Sequence, residues 1–124
     1  MIETLHTENA PAAIGPYSQA KIANGILYAS GQIAINPAKG DVEATTIEGQ
    51  TEQVCKNIGA IVEAAGSSFD KVIKTTCFLK NMSDFAAFNG IYGTYFTSKP
   101  ARSCVAAAAL PKDVLVEVEI IAEV

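Results

Sequence analysis

The chain has 124 residues, 9 Lys and Arg against 13 Asp and Glu, a net charge of −4 and 49% hydrophobic residues, with a pI near 4.9 and a mean hydropathy of +0.23. That charge balance argues against a nucleic-acid partner, whose affinity would rest on Lys and Arg against phosphate. The length suits one domain over residues 1–124, and so apolar a composition exceeds what a small monomer readily hides, so a homo-oligomer is expected.

Cys55, Cys77 and Cys104 are odd in number, widely spaced and form no CxxC pair, and His6 is the sole histidine. Neither a disulfide framework nor a zinc site is indicated. No apolar run is long enough to span a bilayer and no signal-type segment opens the chain, so a cytoplasmic protein with no membrane partner is expected.

In chain order, Ile2 to Thr7 alternates weakly and predicts a short strand. Asn9 to Tyr17 contains Pro11, Gly15 and Pro16, which rule out helix or central strand and shape a loop. Tyr17 either staples that loop to the core or is held in place for use. Ser18–Ala23 and Ile26–Ile35 predict two strands joined at Asn24-Gly25, a dipeptide suited to the positive φ angles of a two-residue hairpin. Ser30-Gly31-Gln32 interrupts the second strand, where glycine marks a bulge or a close approach to the backbone; Ser30 is a bulge residue or a ligand contact.

Asn36 to Asp41 is turn material. Thr45-Thr46-Ile47-Glu48 offers a capping box for a helix with Val54, Ile58, Ile61, Val62 and Ala65 on its apolar face and Gly66 as its stop. Val72–Lys80 predicts a strand, with Ile73, Cys77 and Leu79 on one face and Val72, Lys74, Thr76 and Phe78 on the other. Ser83-Asp84 caps a second helix bearing Phe85, Phe88, Tyr92 and Phe96. Asn89 lies beside that aromatic stripe, either satisfying core backbone or contacting a ligand, and close packing is expected to offset the cost of Gly90 and Gly93.

After Pro100, residues 101–109 alternate so that Arg102 and Cys104 share one face, roughly 6–7 Å apart. From Val116 onward, Val116, Val118, Ile120 and Ala122 form an apolar face for the helices to cover, whereas Glu117 and Glu119 share the opposite face with Leu115 and Ile121. That mixture suits a cleft or subunit contact. Arg102 is a structural ion-pair residue or a ligand clamp. The order β-β-β-α-β-α-β-β makes an α+β domain with its helices on one face of a sheet.

Pro100-Ala101-Arg102-Ser103-Cys104-Val105, Leu110-Pro111, Val116-Glu117-Val118-Glu119, the loop Ala10 to Gln19, and Ser30-Gly31-Gln32 together resemble the Rid (YjgF) family of reactive-intermediate deaminases, in order and end to end. The resemblance implies a chorismate-mutase-like fold, a six-stranded mixed sheet with two helices, assembled as a homotrimer with sites between subunits. It also implies that the last two strands are separated in the sheet, although Leu110 to Asp113 alone reads as a hairpin turn.

The activity implied is hydrolysis of 2-imino and enamine acids, such as 2-iminobutanoate and 2-iminopropanoate released by pyridoxal-phosphate dehydratases, to 2-keto acids and ammonia, without a cofactor. By the same resemblance Arg102 pairs bidentately with the substrate carboxylate, the Cys104 backbone N–H assists, and Glu117 orients or deprotonates water. Tyr17, Ser30, Gly31 and Asn89 line the cleft. Two alternatives stay open: a non-catalytic 2-keto-acid-binding regulatory module, and an endoribonuclease.

Overall fold

A computed structural model describes all 124 residues. Strands β1 (Glu3–Leu5), β2 (Ala20–Ala23) and β3 (Ile26–Ala29) form a meander, and β4 (Ile35–Asn36) pairs with β5 (Asp41–Val42) as a separate ribbon. Helix α1 (Ile47–Ala64), β6 (Val72–Leu79), α2 (Phe85–Tyr95), β7 (Ala101–Ala106) and β8 (Val116–Glu123) complete the chain. The main sheet runs β1-β2-β3-β8-β6-β7. Only β6 and β7 pair in parallel, so the sheet is mixed, as expected.

The hairpin at Asn24-Gly25 forms with both residues at positive φ, 53° and 77°. The longer strand predicted over Ile26–Ile35 does not form. It stops at Ala29, touches the sheet again at a bridge between Gln32 and Val118, and then leaves to build the β4–β5 ribbon. A side chain at Gly31 would collide with Glu117, which explains why the interruption falls there.

Helix α1 starts at an N-cap Thr46 whose hydroxyl accepts from the Gly49 N–H at 3.1 Å. The expected capping box does not close, because Gly49 rather than Glu48 occupies the third helical position and no carboxylate returns to the cap. Gly66 ends the helix at φ 75°. Helix α2 is not capped by a Ser83 or Asp84 side chain; a 3₁₀ turn over Met82–Asp84 leads into it instead.

Val116, Val118, Ile120 and Ala122 are buried beneath the helices with Val54, Ile58, Ile61, Phe88 and Phe96, so the predicted apolar face of β8 is the core face. In β6 an irregularity between Val72 and Lys74 reverses the expected phase: Val72 is buried and Ile73 exposed. Period-two alternation cannot anticipate an added residue. Gly90 and Gly93 meet no neighbour within 4 Å, so close packing within the chain does not account for them.

The other face of the sheet is bare. Tyr28 and Val105 are each half exposed there. Across the strands a row Val105–Phe78–Glu117 stands in register on that face.

Candidate functional site

Arg102 projects from the edge strand β7 toward α2. Its Nη1 donates to Asn89 Oδ1 at 2.7 Å, and the guanidinium carbon stands 4.8 Å from the centre of the Tyr92 ring and 5.4 Å from that of Phe85. Phe85, Asn89 and Tyr92 recur at four- and three-residue intervals, so one face of α2 supplies all three partners. Both salt bridges of the chain, Lys39–Glu43 and Lys80–Asp113, lie elsewhere. Arg102 therefore has no carboxylate partner in the chain and lies beside a pocket of about 360 Å³ that Asn89, Tyr92 and Lys99 also line. The structural ion-pair alternative for Arg102 is excluded within the chain.

Cys104 lies next along this face, opposite Cys77 in the ladder. Burial pushes its thiol pKa up, with Arg102 pulling the other way. Cys77 and Cys55 are pushed up by burial to about 12. A protonated thiol is a poor nucleophile, so the geometry gives the Cys104 side chain no reactive role.

Glu117 stands on the opposite face of the sheet, in a cleft of about 420 Å³ lined also by Tyr17, Ser30, Gly31, Pro111 and Glu119. The tight fit comes from Gly31: a Cβ there would lie 2.8 Å from Glu117 Cδ. The glycine at 31 thus admits the carboxylate of β8 while lining the cleft beside it. Burial, and then the like charge of Glu119, hold the Glu117 pKa above the ordinary carboxylate value.

The loop forming the cleft's rim is tied down by Gln19. Its amide nitrogen donates to the carbonyls of Thr7, Ala10 and Pro11, while its carbonyl accepts from the Thr7 N–H. Tyr17 is half exposed, and its hydroxyl accepts from the Ile14 N–H at 3.4 Å. It is not a staple to the core. Ser30 Oγ donates to the Ser18 carbonyl at 2.6 Å, so its side chain holds the strand edge while lining the cleft. Behind the cleft, the buried Asn57 of α1 donates to the carbonyls of Ile33 and Ile35, two residues that line it.

The sequence-predicted residues thus fall into two groups, Arg102, Cys104 and Asn89 on the helix side, and Tyr17, Ser30, Gly31 and Glu117 on the open side. Strand β6 separates β7 from β8. One chain does not bring Arg102 and Glu117 together. Sequence reasoning gave Gln19 no role of its own, placed Glu119 on the Glu117 face without assigning it to the site, and took Tyr92 only as part of an apolar stripe. The polar end of a tyrosine on such a stripe, and a glutamine inside a loop without regular backbone pairing, were the available signals. No three His, Cys, Asp or Glu side chains gather as metal ligands.

The family model described as endoribonuclease L-PSP matches residues 7–124. A protein of Lactococcus lactis named as a candidate regulator, AldR, is 60% identical, the match covering 99% of this chain and 98% of that one. The 2-iminobutanoate/2-iminopropanoate deaminase of Escherichia coli K12 is 48% identical, with 98% of each chain covered. The crystal structure of YyfA, a Rid family protein of unknown function from Yersinia pestis, superposes with a TM-score of 0.97 at 53% identity over 100% of both chains. Sequence likeness of this extent, with a superposition that spans the whole chain, leaves one conclusion: the chain belongs to the Rid (YjgF) family, whose model bears the endoribonuclease L-PSP description.

Proposed function

We propose that the protein hydrolyses small 2-imino acids to 2-keto acids and ammonia, in a site completed between two copies of the chain. The observation that carries this reading is Arg102, a guanidinium held by an amide and two aromatic faces with no carboxylate to neutralise it. Such a group is set to take an anion, and its planar fork matches a carboxylate. The 48% identity to an imine deaminase supports the same chemistry.

In the proposed reaction Arg102 and the Cys104 N–H bind the substrate carboxylate. Glu117 takes a proton from water as the oxygen attacks the C=N carbon, and the proton passes to nitrogen. The hydroxyl of the tetrahedral adduct then gives its proton to the nitrogen, the C–N bond breaks to release ammonia, and the carbonyl of the keto acid forms. A carboxylate of raised pKa is the better base for this step. The imine is already electrophilic, so this scheme calls for no cofactor.

The opposed faces of Arg102 and Glu117 also favour a ring. If the Arg102 face of one copy meets the Glu117 face of the next, the contact is heterologous, and such contacts close into rings of three or more. A two-fold dimer presents one patch to itself and cannot join two opposite faces of a sheet. The proposed homotrimer is the smallest assembly that does so.

The test couples the protein to a threonine dehydratase with semicarbazide present to trap free imine. Wild type should suppress trapping and speed keto-acid formation, and Arg102→Ala should not; no acceleration by wild type refutes the deaminase reading. A second reading, a 2-keto-acid-binding regulator, is favoured by the name of the Lactococcus relative. Glu117→Ala separates the two, since only an enzyme loses turnover while keeping its keto-acid affinity. The endoribonuclease description of the family meets a chain of net charge −4 with one histidine, and RNA cleavage surviving Arg102→Ala would lie outside this site.

A further inference from the structure

We infer that Tyr92 and Thr75 act as a positioning pair that sets the plane of the Arg102 guanidinium; the inference rests on the carboxylate-binding role proposed above for Arg102. Arginine is long and rotamer-rich, and binding a carboxylate through two parallel N–H groups requires a fixed plane as well as a fixed position. The hydrogen bond to Asn89 fixes one nitrogen. It does not stop rotation about that bond. The Tyr92 ring, 4.8 Å from the guanidinium carbon, supplies the missing plane.

A ring serves as a reference only if it is itself held. The Tyr92 hydroxyl is 2.7 Å from Thr75 Oγ1, inside the core. That hydroxyl lies on the axis about which the ring flips, so anchoring it fixes the direction of that axis, and the stacked Phe96 ring limits rotation about it. Thr75 is fully buried, and its β-branched side chain has few rotamers. It is also the direct ladder partner of Arg102. The pair therefore refers the guanidinium to its own neighbouring strand, through the helix and back. Phe96 stacks on Tyr92 from α2's end, with ring centres 4.4 Å apart.

Folding alone does not ask for these hydroxyls. A hydrogen-bonded polar pair in an apolar layer can be replaced by apolar groups of the same shape at little cost, because neither partner is left unsatisfied. Thr75→Val with Tyr92→Phe makes that replacement. The variant is expected to melt within a few degrees of wild type, to show KM for 2-iminobutanoate raised about tenfold with kcat within about twofold, and to lose 2-oxobutanoate affinity by the same factor. Thr75→Ser keeps the hydroxyl and should restore wild-type values. Tyr92→Phe alone should shift KM in the same direction. By NMR, the Arg102 Nε–Hε order parameter should fall in the double variant, a readout that needs no turnover. Unchanged KM, keto-acid affinity and Arg102 order in a folded double variant would overturn the inference. Failure of wild type to bind 2-oxobutanoate or hydrolyse imine would instead overturn the reading of Arg102 beneath it.

Discussion

Glu117 is a carboxylate pressed against a glycine on one side, half-buried, and beside a second carboxylate. Burial and the neighbouring carboxylate disfavour its charge, and no Lys or Arg of its own chain pairs with it. Because the folded chain holds the Glu117 proton more tightly than the unfolded chain does, the protonated side chain adds stability at low pH, and that contribution disappears as pH rises through the raised value. Glu117→Gln, neutral throughout, should therefore raise Tm at pH 7, a gain that closes as the pH falls below the ordinary carboxylate range. Calorimetry at pH 7 and below that range checks this, and a lower Tm at pH 7 would contradict it. The motif residues themselves were legible in the chain, and so were their faces: period two puts Arg102 with Cys104, and Glu117 opposite Val118. The raised pKa was legible only in part: period two sets Glu119 beside Glu117 on β8, but the burial that contributes most depends on the segment around Gly31 packing against it.

At the scale of elements, both helices and all six strands of the main sheet were legible from apolar spacing and breakers. Their edges failed where tertiary contacts decide. The strand from Ile26 ends early because Gly31 must admit Glu117. Val72 turns inward because the irregularity before Lys74 adds a residue. The segment Leu110 to Asp113 has the composition of a hairpin turn, and Lys112 and Asp113 do take positive φ of 54°. Yet β6 lies between the strands it joins, with Lys80 paired to Asp113 at 2.9 Å. Local chemistry sets the turn and not the neighbour. One local rule does hold alone: the Thr46 hydroxyl is the side-chain cap of α1. Thr46→Ala should cost about 1 kcal/mol in denaturant unfolding, and Thr46→Ser well under half of that. Equal losses in the two variants would show that the methyl group, not the hydroxyl, matters.

For the whole molecule, composition points to association, and the surface proposed for it is the open face of the sheet, opposite the helices, toward which Tyr28, Phe78, Val105 and Ile121 stand. Val105→Glu places a charge in that surface beside the row leading to Glu117. It should shift the light-scattering mass from a multiple of the chain toward a single one, with activity lost in parallel, because each proposed site needs two copies. Association that persists unchanged would move the contact to another surface. What the sequence could not disclose is that the two halves of its best motif set face away from each other. Period two assigns faces within a strand, but only the order β8-β6-β7 and the helix layer relate one strand's faces to another's.

The proposed division of the site between copies has one direct test. Arg102→Ala and Glu117→Ala are each prepared, shown inactive toward 2-iminobutanoate, then mixed in equal amounts, unfolded and refolded together. In a ring where each site takes its arginine from one copy and its glutamate from the next, random mixing restores about a quarter of wild-type activity. If each chain holds a complete site, no mixed assembly contains one with both residues, and the refolded mixture stays inactive while wild type treated in the same way recovers.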